Sequence, residues 1–156
     1  MEVITAEKIP HRPGLPGERV EWPDGCKFIW AYSAATLALG QPRVLSFDGD
    51  EETNPVMIVG ADTVAVYVEV GVATEAITGA HWQWFQLKGD CDYCLVDGGT
   101  DVAKDNYLDL PATKTALYKD GVAKTADSVA IAREAFTGTP AAVKMVYLLG
   151  ENVQIS

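Results

Sequence analysis

The chain has 156 residues, 48% of them apolar and 22% charged, and its 12 basic against 22 acidic side chains leave a net charge of −10. That is enough chain for one domain with its own core, and too apolar a chain for disorder. The negative balance argues against nucleic acid and against an anionic membrane surface, because both are held by clustered Lys and Arg.

In chain order, residues 1–23 read as an extended arm. Pro10, Pro13, Pro16 and Pro23, with Gly14 and Gly17, break any regular element. The arm still carries Val3, Ile4, Ile9, Leu15 and Val20, so it is expected to lie on something: its own domain, a sister subunit or another protein. Residues 24–156 read as a single β domain. Asp-Gly pairs at Asp24-Gly25, Asp48-Gly49, Asp97-Gly98 and Asp120-Gly121 supply the positive φ angles that tight turns need. Between them lie runs rich in β-branched and aromatic residues: 26–32, with Phe28 and Trp30 on one face, then 43–47. The run 64–72 alternates cleanly, with Val64, Val66, Val68 and Val70 on one side. Strands are expected at 82–88, 91–96 and 107–110. A hairpin is expected from 115–118 and 122–125, flanking Lys119-Asp120-Gly121.

Two segments have helical features. In 33–39, Ser33 is a capping residue and Gly40 a C-terminal stop, which predicts about two turns of helix. In 128–135, Ala and Glu favour helix, while Val129, Ile131 and Arg133 fit alternation; the shortness of the run decides for a strand. A last strand is expected at 143–149. Short strands at ~8–12-residue spacing predict an all-β fold, a small barrel or sandwich with at most one or two short helices.

Residues 1–10 contain Glu2 and Glu7 and lack the apolar region of a secretory signal. No apolar run approaches the ~18–20 residues needed to span a bilayer: the stretch from Val56 to Ala80 is cut by Asp62, Glu69 and Glu75. Three cysteines, an odd number, make no disulfide framework. These features predict a chain made in a reducing cytoplasm.

Several patterns could carry chemistry. Cys91-Asp92-Tyr93-Cys94 is a C-x-x-C, but it lies in a strand-like run beside Asp90 and Asp92, whose charges would raise a thiol pKa. Zinc would need Cys26, His11 or His81 to complete four ligands, so buried structural cysteines are favoured over metal or redox use. Asp48-Gly49-Asp50-Glu51-Glu52 offers oxygens that suit calcium, yet an EF-hand frame places Thr53 where glycine is required. A solvated acidic loop is the favoured alternative. No nucleophile elbow, phosphate loop or dinucleotide fingerprint occurs. The expectation is therefore no enzyme and no cofactor. Trp82 and Trp84 share one strand face and could belong to the core, to a protein interface or to a sugar-stacking platform.

Charge is unevenly placed. Residues 1–78 hold five basic against twelve acidic side chains, and residues 79–156 hold seven against ten. Between Arg43 and Lys88 there is no Lys or Arg, but seven acids: Asp48, Asp50, Glu51, Glu52, Asp62, Glu69 and Glu75. Such a stretch either keeps the protein soluble or faces a basic partner.

Three segments together resemble the head decoration, or capsid cement, proteins of tailed bacteriophages. They are DGCKFIWAYSAATLALGQPRVL at 24–45, QWFQLKGDCDYCLVDGGTDV at 83–102, and the end from Gly121 to Gly150 with Ala132-Arg133-Glu134-Ala135 and Leu148-Leu149-Gly150. The resemblance spans about residues 20–150 and rests on turns and small residues; Cys91, Cys94 and the proline-rich arm have no counterpart in the pattern. It implies a β-tulip-like domain without a catalytic site. It also implies a homotrimer on the outside of the virion capsid, assembled in the host cytoplasm, that bridges subunits of the major capsid protein. Ile4, Ile9, Leu15 and Val20 of the arm, with Trp82 and Trp84, are the candidate partner contacts. The alternative function is a carbohydrate-binding β-sandwich that uses Trp82 and Trp84.

Overall fold

A computed structural model describes residues 9–60 and 67–155. Ten strands are present: β1 (Arg19–Glu21), β2 (Lys27–Ser33), β3 (Pro42–Ser46), β4 (Val56–Ile58), β5 (Val70–Ala73), β6 (His81–Val102), β7 (Tyr107–Asp109), β8 (Tyr118–Gly121), β9 (Ser128–Ala132) and β10 (Phe136–Leu149). The fold is all-β, with no helix among the described residues.

The strands form one sheet in the order β1-β2-β4-β3-β5-β6-β10-β9-β7-β8, and β2 also pairs with β6. That extra pairing curls the first half into a ring, β2-β4-β3-β5-β6, in which β2 runs antiparallel to β6 from Lys27↔Lys88 to Ser33↔His81. The second half forms a second, partial ring. After β10, β9, β7 and β8 the chain returns to β6 through the parallel bridge Val96↔Leu117. β6 is 22 residues long and is shared by both rings. Neither ring is a clean barrel, because β2–β4 holds by the single pair Tyr32↔Val56 and the second closure is one bridge.

Alternation explains the cores. Ile29, Ala31, Leu45, Met57, Ala73, Phe85 and Leu87 face into the first ring. Cys91, Cys94, Val96, Leu108, Leu117, Ala130 and Val146 belong to the second core, which extends to Val44, Val70 and Val72 and is capped by Val153 and Ile155. Cys26, Phe28 and Trp84 form a third, smaller cluster on the outer side of β2 and β6.

Several expectations need correction. The helix at 33–39 is absent. Ser33 ends β2, its hydroxyl bonds to Ala35, and Leu37 bridges Ile77 through two backbone hydrogen bonds of 3.0 Å. Two isolated helical turns do not offset the cost of nucleation, whereas Leu37 at 1% exposure gains a core site. The strands expected at 82–88 and 91–96 are one strand, and Asp97-Gly98 lies inside it with Gly98 opposite Gly138. The hairpin around Asp120-Gly121 does not form. Those residues end β8, which pairs with β7, and Val122 is 81% exposed. Of the run 64–72, residues 64–66 lie outside the described residues; Val68 bridges Val153, and β5 begins at Val70.

The turn at Asp24-Gly25 joins antiparallel β1 and β2 with Gly25 at φ +92°, as expected, whereas Asp48-Gly49 lies in a longer connection between antiparallel β3 and β4 and Gly49 does not take a positive φ. The segment 128–135 is strand only to Ala132. Residues 19–21, placed in the arm by sequence, are a strand of the sheet: β1 pairs with β2 from Arg19↔Ile29 to Glu21↔Lys27.

Candidate functional site

The arm crosses the outer face of β2 and β6. Period-2 alternation and the register place Trp30 opposite Trp84 and Tyr32 opposite Trp82 on that face. The Trp30 and Trp84 rings meet edge to face at 5.2 Å, and Tyr32 and Trp82 lie 5.6 Å apart. Such aromatic pairs add ~0.5–1.5 kcal/mol beyond their buried area.

The arm covers one end of this ladder. The Trp84 indole N–H donates to the Arg12 carbonyl at 2.8 Å, and the Arg12 guanidinium lies 5.7 Å from the Trp84 ring centre. The Gly17 N–H donates to the Trp30 carbonyl and the Trp30 N–H to the Glu18 carbonyl, both at 2.9 Å. Glu18 pairs with Arg12 and also accepts from the Leu15 N–H at 3.0 Å. The Arg12 partner, then the Leu15 amide, hold the Glu18 carboxyl down at about 2. A cavity of about 260 Å³ remains between arm and ladder, bounded by Ile9, His11, Trp30, Glu75 and Trp84 among others.

The sequence candidates separate accordingly. Ile4 lies outside the described residues. Ile9 and Val20 are half-buried and pack with Trp84 in one cluster. Trp84 is 3% exposed, so it is a covered core residue while the arm is docked. Trp82 is half-buried beside Tyr32. Leu15 points outward at 72% exposure and is the one arm candidate, among those described, that stands free of the body.

Cys26, Cys91 and Cys94 are free and buried. Burial raises the Cys26 thiol to about 11 and the Cys91 thiol to about 12, and it lifts Cys94 well above its ordinary value. Thiols in that state are poor nucleophiles. The His81 ring bonds the Gly79 carbonyl through Nδ1 and the Gln83 amide through Nε2. In the acidic loop, one Asp50 oxygen accepts from the Glu52 and Thr53 amides and the Thr53 hydroxyl, which ties the turn together. Among the described residues no three His, Cys, Asp or Glu side chains converge as a metal site.

Asp109 is the exception in its electrostatics. Burial, then the charges of Asp120 and Asp127, raise its carboxyl to about 6, and its Oδ1 is buried without a hydrogen-bond partner among the described residues. The folded state thus binds a proton there more tightly than the unfolded chain. Ionisation of Asp109 costs stability above about pH 6, and the cost is relieved as pH falls toward the unfolded value of 3.8. Partial exposure reduces the penalty to about 1–2 kcal/mol. Asp109→Asn is expected to raise stability at pH 8 by that amount and to leave it nearly unchanged at pH 3, below the unfolded value. Urea unfolding at both pH values measures this; an equal effect at the two would refute the assignment.

Sequence reasoning missed a second surface. A groove of about 490 Å³ runs between the outer side of β3–β4 and the C-terminal segment. Its floor includes Val44 and Ile58, directly paired across the two strands, and Phe47, Tyr67 and Ile155 stand around it. The available signal was Phe47, an aromatic residue set just before an Asp-Gly turn, within the stretch that lacks basic residues.

Comparison with protein-family models, with curated proteins and with solved structures gave no match to this chain.

Proposed function

We propose that this chain is a non-enzymatic structural protein of a phage virion, bound to the outside of the capsid as a homotrimer that bridges major capsid subunits. The reading rests on the resemblance of residues 24–45, 83–102 and 121–150 to capsid cement proteins. One structural observation supports it: the arm docks on the outer face of β2 and β6 and still turns Leu15 outward at 72% exposure. An apolar side chain turned outward on such an arm can reach a neighbouring subunit while the rest of the arm stays on its own sheet, and three such arms on one trimer multiply weak single contacts.

The test uses expanded shells of the particle that encodes the protein. Deletion of residues 1–20 and the single change Leu15→Asp are both expected to weaken shell binding at least tenfold. Leu15→Asp should leave the unfolding curve unchanged, because the side chain is already in water. Wild-type saturation by both variants would rule out the arm's role, and a monomer of 16.8 kDa in sedimentation would rule out the trimer.

The carbohydrate alternative is left with Trp82 and Tyr32, since Arg12 covers Trp84. Glycan binding abolished by Trp82→Ala would favour it.

A further inference from the structure

We propose that the groove between β3–β4 and the C-terminal segment docks a basic protein segment with apolar anchors. This goes beyond the capsid reading and does not depend on it. Among the described residues the groove shares no lining residue with the cavity under the arm.

The first argument is exposed apolar surface gathered in one place. Phe47 is 60% exposed, Tyr67 56% and Ile58 43%, and all three border the same groove. Single exposed apolar residues are ordinary, but a cluster around a concavity marks a binding surface. At about 490 Å³ the concavity is within the ~300–1,000 Å³ range of clefts that hold ligand groups.

The second argument is the charge around it. Asp48 lines the groove, and Asp50, Glu51 and Glu52 are exposed on the loop that carries Phe47. Glu69 also lines it and is engaged by Arg19 at 2.8 and 2.9 Å. None of the described residues that line the groove is basic. An apolar floor inside an acidic rim favours a segment whose apolar side chains enter while Lys or Arg meets the rim. A second copy of this chain is disfavoured at this face if it docks by the same surface, because its own Asp48, Asp50, Glu51 and Glu52 would meet the acidic rim. The floor is a pleated strand surface, so an extended segment with alternating side chains matches its spacing.

The probe is a fluorescent eight-residue peptide that alternates Lys with Val, Phe, Val and Leu. Two controls replace every Lys by Glu, or every apolar residue by Ser. Anisotropy with the full chain at low salt should show the Lys–apolar peptide binding at least tenfold more tightly than either control. The double changes Phe47→Ser with Tyr67→Ser, and Glu51→Lys with Glu52→Lys, should each weaken it at least tenfold. All four side chains are exposed, so the fold should survive, which urea unfolding checks. Val122→Ser, at a still more exposed apolar site absent from the groove lining, should have no effect. Four results overturn the proposal: no binding at millimolar peptide, equal binding of the Lys–Ser control, equal loss with Val122→Ser, or concentration-dependent self-association that Phe47→Ser with Tyr67→Ser abolishes. The last would assign the groove to a second copy.

Discussion

Gly40→Ala is expected to leave the chain unfolded or insoluble at 37 °C, the largest effect of any single methyl added to this protein. Gly40 has φ +80°, and a Cβ there would sit 1.8 Å from the Tyr93 carbonyl oxygen and 2.9 Å from its carbon. Those atoms belong to β6 at the heart of the second core, so no flexible side chain can move aside. Gly40 also donates to the Ala73 carbonyl at 2.9 Å and accepts from the Leu95 N–H at 3.0 Å. It therefore ties β5 of the first ring to the part of β6 that serves the second. Left-handed backbone alone costs an alanine ~1–2 kcal/mol; the clash and the two displaced hydrogen bonds bring the total to about 4 kcal/mol or more. Gly25→Ala isolates the first term. Gly25 has φ +92° with nothing within 4 Å of the added methyl, so about 1–2 kcal/mol is expected. Urea unfolding of the two variants provides the comparison, and a Gly40→Ala protein no less stable than Gly25→Ala would refute the account.

Gln86→Leu should cost about 3–5 kcal/mol, although leucine fills nearly the same volume. Gln86 is 0% exposed. Its amide donates to the carbonyls of Lys88 at 3.1 Å and Asp90 at 2.8 Å, and its oxygen accepts from the Tyr93 hydroxyl. These contacts sit where the β2–β6 register shifts between Lys27 and Phe28, so the strand's own carbonyls there need a side-chain partner. Leucine leaves two carbonyls and one hydroxyl without that partner, at ~1–3 kcal/mol for each group kept from water. A double-mutant cycle gives the sharper result. Tyr93→Phe alone should cost about 1–2 kcal/mol, because it strands the Gln86 oxygen, but should recover about 1–2 kcal/mol once Gln86→Leu is present, because it then removes a stranded hydroxyl. Additive effects would mean that the two side chains do not act as one unit.

The same elbow explains why the sequence was misread at β6. Lys88-Gly89-Asp90 has the composition of a turn between two strands. The chain instead continues, because Gln86 and Tyr93, distant in composition rules but adjacent across the bend, satisfy the carbonyls that a break would have exposed. Asp97-Gly98 was misread for a related reason. Asp-Gly permits a turn but does not force one, and β10 supplies a partner strand, with Gly138 opposite Gly98. Ser33–Leu39 carried local helix signals, yet the bridge to Ile77 and the burial of Leu37 outweighed them. Trp82 and Trp84 were recognisable as a pair on one face. Their different fates depend on Arg12, seventy-two residues away in the chain from Trp84.

The net charge, the all-β class, the hydrophobic alternation and the hairpin turn at Asp24-Gly25 were determined by the sequence alone. Each of these depends on local composition or on a period of two residues, and local patterns survive whatever the rest of the chain does. The two rings sharing β6, the covering of Trp84, the isolation of Asp109 and the groove behind the acidic loop were decided only in three dimensions. Each requires residues far apart in sequence to meet, and the free energy of such meetings comes from burial and hydrogen-bond partners that no local pattern contains. The stretch from Arg43 to Lys88 belongs to both accounts. Its lack of basic residues was plain in the sequence, but folding is what sets Asp48, Phe47 and Ile58 around one apolar floor.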